Sequence, residues 1–352
     1  MTMAAHLWTW AGVAALLLAA VATADESPLP NADYGVSTIW QLGGIGGWNY
    51  PALEPSGARL FVSRGERVDV VETATGRRAT TIPNTAGVRG IAFAPEFKRG
   101  YTSNGGSNTV TAFELDTVRL IAESPVPGRK PDAIVYDPAS EHVLIANDQS
   151  NDISVMDPVS LQVLASIALP GSPGFMAAAD TGTVYVNVKT ESSRLVAIDS
   201  KTSKIKANWA LPGCANASGL AFDAVHHRLF AVCQNEVMVV LDAVTGRQAA
   251  RVAIGGGADG AAFDSDLGFV FSANGADGTL TVIHQDAADA YRVVATVQTQ
   301  KGAGTLALDP QTHRIYLPTA RFGPPPAPTA DQPHPRPAIV PDTFVILVAE
   351  PK

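Results

Sequence analysis

The chain has 352 residues, of which 46% are hydrophobic and 16% are charged. This composition excludes a disordered chain, because it supplies enough apolar surface for a large core. The formal net charge of −8 disfavours non-specific binding to nucleic acid, and no run of lysine and arginine offsets it.

The first 24 residues predict a signal peptide. They contain no Asp, Glu, Lys or Arg, and an unbroken apolar run extends from Ala11 to Ala22. That run is too short to span a bilayer comfortably, and Ala22-Thr23-Ala24 fits a signal-peptidase site. We therefore expect residues 25–352 to form a periplasmic or secreted domain without a transmembrane span. Because the N-terminal region has no basic side chain beyond His6, an uncleaved anchor is the alternative.

Seven similar units follow along the mature chain. In each unit the first apolar run ends at one equivalent position, and these positions are Glu54, Ala94, Asp137, Asp180, Asp223, Asp264 and Asp309. Consecutive positions are 40 to 45 residues apart, and each unit contains four strand-like runs, several with alternating β-branched residues. This period is typical of a propeller blade. The sequence therefore predicts an all-β, seven-bladed β-propeller of four-stranded antiparallel blades in a single domain.

The two ends of the chain predict how the ring closes. The last unit stops at its third strand, over residues 344–348, whereas residues 37–42 resemble an unpaired fourth strand. We predict that this N-terminal strand pairs into the last blade, because closure removes free sheet edges. We also expect a monomer.

A proline-rich segment interrupts the last unit between Gly323 and Pro341. Proline cannot donate a backbone hydrogen bond, so this segment is expected to be a long surface loop between the second and third strands. A lid or a partner contact is one interpretation of it, and an ordered loop packed on the rim is the other.

The second strands carry a recognisable motif. Tyr101–Asn104, Leu144–Asn147 and Phe271–Asn274 each lead to a turn and a valine-rich strand, and together they resemble the YVTN-type propeller repeat. The resemblance covers essentially all of the mature chain. Members of that group are surface, periplasmic and binding proteins, so the resemblance implies the fold more specifically than any activity. The equivalent positions of the other units are Arg64, Val188, Cys233 and Thr319.

The loops entering each unit share one face with the loops between second and third strands, and propellers commonly bind ligands there. The candidate ligand-binding ring at this channel mouth is Asn49, Arg89, Asp132, Phe175, Ser218, Asp259 and Gly304. Arg89 could hold an anion while Asp132 and Asp259 hold hydroxyls or a cation such as calcium. A structural ion pair between Arg89 and Asp132 is the alternative. Trp48 and Tyr50 flank the ring and could stack on a ligand, or they could pack between blades.

Neither a catalytic motif nor a metal-binding motif occurs in the sequence. It lacks Gly-x-Ser-x-Gly, His-Glu-x-x-His and Cys-x-x-Cys, so we predict no catalytic residues, no metal ligands and no cofactor. The histidines of the hairpins are expected to be solvated; these are His142, His226, His227 and His313. Cys214 and Cys233 fall on one face of one unit, which predicts a disulfide. Two unpaired thiols are the alternative.

The leading functional hypothesis is an exported, non-catalytic propeller that binds a small molecule or a protein at the channel mouth. A lactonase-type hydrolase using Asp132, Asp259 and Arg89 is the alternative, because 6-phosphogluconolactonase-like propellers look similar in repeat pattern. A quinone-dependent dehydrogenase is disfavoured, because the tryptophan-rich docking motifs of those propellers are not found in this sequence.

Overall fold

Seven four-stranded antiparallel sheets succeed one another along the chain and form the blades of a β-propeller, which confirms the fold predicted from the repeat. The computed structural model describes residues 33–179, 181–190, 192–328, 335 and 337–352. The predicted signal peptide lies outside the described residues. Within them, the short 3₁₀-helix Pro95–Phe97 lies at the position where the sequences of most other blades have an aspartate.

The strands of each blade are numbered from the channel outward. Blade 1 contains Pro51–Leu53, Arg59–Arg64, Arg67–Glu72 and Arg78–Ile82. Blade 2 contains Val88–Ala94, Arg99–Asn104, Thr109–Glu114 and Leu120–Pro125. Blade 3 contains Pro131–Asp137, His142–Asn147, Asp152–Met156 and Val163–Ala168. Blade 4 contains Ser172–Ala179, Thr183–Lys189, Arg194–Asp199 and Lys204–Ala210.

The last three blades follow the same plan. Blade 5 contains Ala217–Asp223, Arg228–Cys233, Val237–Asp242 and Gln248–Ala253. Blade 6 contains Ala258–Asp264, Phe269–Asn274, Thr279–Ala287 and Ala290–Gln298. Blade 7 contains Ala307–Asp309, Arg314–Thr319 and Val345–Pro351, and its outermost strand is Tyr34–Gln41.

The N-terminal strand closes the ring, as the two chain ends predicted. Tyr34–Gln41 pairs antiparallel with Val345–Pro351, and Trp40 lies opposite Ile346. The strand begins three residues earlier than the predicted start at residue 37. Blade 7 is therefore built from both ends of the described chain.

Burial explains the apolar patterns of the strands. The second strand of blade 5, Arg228–Cys233, is buried at every position, whereas the fourth strand of blade 2, Leu120–Pro125, is exposed at alternate positions. Second strands are sandwiched between neighbouring blades and need apolar residues on both faces, but outer strands face solvent on one side. A continuous apolar run therefore marks the inside of a blade.

Acidic residues at the ends of the first strands tie neighbouring blades together. The Asp137 carboxylate accepts a hydrogen bond from Ser200 Oγ at 2.5 Å, and the Asp223 carboxylate accepts one from Gln285 Nε2 at 3.0 Å. Each donor belongs to the next blade. The turns predicted from these aspartates therefore also hold blades together.

The expectation that the hairpin histidines are solvated agrees with the exposure of His226 and His227, whereas His142 and His313 are half-buried. His313 Nδ1 lies 2.8 Å from the Asp264 carboxylate of the preceding blade, and His226 Nδ1 lies 2.8 Å from Asp223. His142 Nδ1 lies 3.2 Å from the backbone oxygen of Ser200. Neighbouring hairpins approach one another at the base of the ring, so His142 and His313 find partners in other blades, whereas the partner of His226 lies in its own turn.

The proline-rich segment lies between the second and third strands of blade 7, as predicted. A single β-bridge joins Phe322 to Ile339 at its base, and residues 324–328 are exposed. No helix within the described part of the chain is long and apolar enough to cross a membrane.

Candidate functional site

The predicted mouth residues lie on or just before the innermost strands. Arg89 is the second residue of its strand in blade 2, and Asp132 is the second residue of its strand in blade 3. Ser218 and Asp259 have the same place in blades 5 and 6. Because innermost strands start at the same end of the ring, their second residues converge around the channel.

Arg89 lies between Asn49 and Asp132. Its Nη1 donates a hydrogen bond to Asn49 Oδ1 at 3.4 Å and lies 4.0 Å from Asp132 Oδ1. Arg89 and Asp132 therefore form an ion pair, but their separation is too long for a direct hydrogen bond. The Arg89 side chain remains 32% exposed, so solvent reaches this member of the pair.

Asp132 is the most unusual residue at the mouth. Its side chain is 16% exposed, and its buried Oδ1 accepts no hydrogen bond from any residue that the structure describes. Burial raises the pKa of this carboxyl group, while the nearby Arg89 acts in the opposite direction. Buried polar atoms of proteins usually have a partner, so Oδ1 is positioned to accept a hydrogen bond from water or from a ligand.

Tyr50 and Phe175 meet across the channel. Their ring centroids lie 4.5 Å apart in an edge-to-face arrangement, although one residue enters blade 1 and the other belongs to blade 4. Blades 1 and 4 are not neighbours in the ring. The contact between Tyr50 and Phe175 therefore differs from packing between adjacent blades. The two rings form an aromatic floor beneath the mouth.

The Tyr50 hydroxyl faces the acidic residues of the mouth. Burial raises the pKa of this phenol well above its ordinary value. The carboxylates of Asp132 and Asp259 and a hydrogen bond with the Asp132 carboxyl group raise the pKa further, whereas Arg89 lowers it. Tyr50 therefore stays protonated and can donate a hydrogen bond. Its backbone is fixed, because Ser63 donates to the Tyr50 carbonyl from both its amide, at 3.1 Å, and its hydroxyl, at 3.0 Å.

Ser218 and Asp259 form the second polar pair of the mouth. The Ser218 hydroxyl donates to the Asp259 carboxylate and lies 3.3 Å from the Asp259 backbone oxygen. The next ring position is Gly304, which adds no side chain. The mouth therefore presents a cationic group on blade 2 and acidic groups on blades 3 and 6.

Trp48 lies in the hydrophobic cluster of the last blade. Its ring centroid is 5.9 Å from that of Phe322 and 5.7 Å from that of Phe344. These contacts correspond to the packing alternative for this residue, whereas Tyr50 and Phe175 line the mouth.

Arg64 is an important residue whose role sequence reasoning missed. Its fully buried guanidinium donates to the carbonyls of Ile45 at 3.0 Å and Gly47 at 3.2 Å, and it lies 3.6 Å from the centroid of the Phe344 ring. Arg64 thereby holds the loop that leads from the closing strand to Tyr50. The sequence feature that could have revealed this role is the departure from the repeat, because three other units have asparagine at the position of Arg64.

Cys214 and Cys233 form a disulfide within blade 5, with their Cα atoms 5.4 Å apart. The bridge fixes the loop that enters the blade and leads to the strand of Ser218. No group of three or more His, Cys, Asp or Glu side chains suited to a metal ion occurs among the residues described.

A groove lies away from the mouth, at the outer edge of the ring. This groove of about 520 Å³ runs between the closing strand and the 73–77 turn of blade 1. Trp40 lines it, but Gly76 covers the indole on one side and the Tyr316 ring lies 5.3 Å from it. Because Gly76 and Tyr316 already pack against the Trp40 indole, this ring is less available to a ligand than the aromatic rings of the mouth.

Comparison with known proteins identifies the fold alone. No family model matches the chain, and no curated protein matches it. Among solved structures, a chain of hydrazine synthase from Kuenenia stuttgartiensis superposes with a TM-score of 0.69 at 17% identity, over 77% of this chain and 92% of that chain. At this identity the similarity supports the seven-bladed propeller and carries no activity to this protein.

Proposed function

We propose that this chain is an exported propeller of the YVTN-repeat type that binds a small polar molecule at the channel mouth without transforming it. The observation that carries the proposal is the Asp132 Oδ1 atom, which is buried beside Arg89 and accepts no hydrogen bond from the described residues. A buried unpaired oxygen costs about 1–3 kcal/mol, and a bound donor group would remove that cost.

The surroundings of Asp132 support a binding role. Tyr50 and Phe175 supply an apolar floor, and Arg89 and the Ser218–Asp259 pair supply polar groups above it. Small-molecule sites commonly combine a few placed polar groups with aromatic surface in one concavity.

A hydrolase of the lactonase type is the second candidate. The observation that favours it is the raised pKa of Asp132 beside the Tyr50 phenol, because carboxyl groups with raised pKa values occur at sites of general acid–base catalysis. A protein partner seated on the same face is the remaining alternative, and the proline-rich segment of blade 7 would then be a natural contact.

A thermal-shift screen of lactones, sugars, organic acids and inorganic anions tests the binding proposal. We expect at least one small polar compound to raise the melting temperature of the wild type and to have no effect on Arg89→Ala. Equal stabilisation of wild type and variant by every active compound would place the site elsewhere. Proton release from lactones, absent in Asp132→Asn, would instead favour the hydrolase.

A further inference from the structure

Two incompletely bonded groups stand side by side at the mouth. A guanidinium has five N–H donors, yet among the described residues Arg89 donates only to Asn49 Oδ1, at 3.4 Å. Asp132 Oδ1, 4.0 Å from Arg89 Nη1, is buried and accepts none. The mouth therefore presents a cationic donor next to a carboxylate oxygen that has no hydrogen-bond partner among the described residues.

This pairing restricts the ligand to a compound with complementary groups at matching separation. Arginine recognises carboxylates through parallel N–H···O bonds, and Asp132 needs a hydrogen-bond donor. Because the protein groups are only 4.0 Å apart, the carboxylate and the donor must stand close together in the ligand. A hydroxyl or an ammonium group on the carbon next to a carboxylate satisfies this condition.

The charges around Asp132 distinguish a hydroxyl from an ammonium group. Among the charged groups with the strongest effect on its carboxylate, Arg89, Lys130 and Lys189 are cations and Asp148 is an anion. These five groups carry a formal charge of +1, from three positive and two negative side chains. A ligand with a net negative charge is therefore favoured over a zwitterion.

We propose that the ligand of the mouth is a 2-hydroxy carboxylate, a class that includes sugar acids. Its carboxylate would bind Arg89, its hydroxyl would donate to Asp132 Oδ1, and its carbon chain would lie over Tyr50 and Phe175. This inference rests on the proposed binding function and adds the ligand class to it.

Calorimetric titration of the purified protein with matched acids tests the proposal. Lactate and gluconate carry both groups, propionate lacks the hydroxyl, glucose lacks the carboxylate, and alanine replaces the hydroxyl by an ammonium group. We expect lactate to bind about tenfold or more tightly than propionate, and gluconate more tightly than glucose by a similar factor, because each missing group leaves a charged partner unpaired. Alanine should bind more weakly than lactate.

Variants separate the two contacts. Arg89→Gln should weaken gluconate binding by about 10- to 100-fold, and Asp132→Ala, which removes the acceptor, should bring the lactate-to-propionate affinity ratio close to one. Arg77→Gln is the matched control, because its side chain is 79% exposed outside the mouth and its loss changes the net charge equally. Far-UV circular dichroism checks that the variants fold. If they do not fold, the ratio of lactate to propionate affinity of the wild type still tests whether the ligand hydroxyl contributes to binding.

Two results would overturn the ligand class for different reasons. Arg89-dependent binding of glucose or of lactones without binding of hydroxy acids would refute the 2-hydroxy carboxylate and leave the mouth as a binding site. Absence of binding by every acid, sugar, lactone and anion would refute the ligand class together with the proposed binding function. Equal affinities for lactate and propionate would remove the role given to Asp132.

Discussion

Replacing Gly76 by alanine tests how the closing strand is held against blade 1. Gly76 has a φ of +66°, and a Cβ built on it would lie 2.3 Å from Cδ1 of Trp40 on the closing strand. Left-handed backbone costs an L-residue about 1–2 kcal/mol, and overpacking of this kind adds about 1–3 kcal/mol. Trp40 cannot easily withdraw, because the buried Tyr316 ring lies 5.3 Å behind it. We expect Gly76→Ala to lower the free energy of unfolding by about 2–5 kcal/mol.

Gly65→Ala is the matched control for this substitution. Gly65 lies in the same blade with a φ of +67°, but a Cβ built on it would meet nothing within 4 Å. The control therefore carries the backbone cost of about 1–2 kcal/mol without the collision. Equilibrium urea unfolding followed by far-UV circular dichroism measures both variants, provided that refolding is reversible.

Equal destabilisation of the two variants would refute the proposed collision with Trp40. A double-mutant cycle with Trp40→Ala gives a further check, because the cost of Gly76→Ala should then fall to that of Gly65→Ala. The same contact recurs in blade 5, where a Cβ on Gly246 would lie 2.1 Å from Cδ1 of Trp209. We expect Gly246→Ala to resemble Gly76→Ala.

Three further predictions concern the loops and carboxylates. Replacing Cys214 and Cys233 by alanine should lower the free energy of unfolding by about 3 kcal/mol, because their bridge closes a loop over a 19-residue separation; a reducing agent should destabilise the wild type and leave the double variant unchanged. Burial raises the pKa of Asp223, but hydrogen bonds from Gln285 and from the 225–226 turn outweigh burial and hold it below the usual value. Its stabilising contribution is thus present above about pH 4 and is lost on acidification, so the stability difference between wild type and Asp223→Asn should shrink in urea titrations below that pH. Because the pKa of Asp132 is raised, calorimetry should show hydroxy-acid affinity falling with acidification at a pH above the usual aspartate value of about 3.9, whereas an unchanged affinity would exclude an ionised Asp132 from the contact.

The fold could be predicted from the sequence because the repeat carries the same information seven times. Apolar runs, turn-forming aspartates and the spacing of 40 to 45 residues agree with one another. An ambiguous strand assignment in one unit can therefore be resolved by comparison with the other units. The closing strand was predictable for the same reason, because the last unit has three strands and Tyr34–Gln41 supplies the fourth. Consistency of local signals with the global fold is what makes such a prediction possible.

The candidate site could be predicted only as a set of positions. Register indicates that Arg89, Asp132 and Asp259 occupy equivalent places, but it does not show which side chains meet. The contact of Tyr50 with Phe175 joins blades 1 and 4, and it depends on ring curvature that no single repeat encodes. The unpaired Asp132 oxygen likewise follows from a 4.0 Å separation, a detail that sequence spacing cannot resolve.

Departures from the repeat connect the fold to the site. Where other units have asparagine, Arg64 binds backbone carbonyls of the 43–47 loop, and that loop leads directly to Asn49 and Tyr50. The loop between the closing strand and the aromatic floor is therefore held by one buried side chain. A buried arginine costs desolvation energy that asparagine would avoid, so its presence is better explained by the loop it positions than by stability. The same reasoning applies to the mouth, where the unequal side chains of equivalent positions give a symmetric scaffold an asymmetric binding surface.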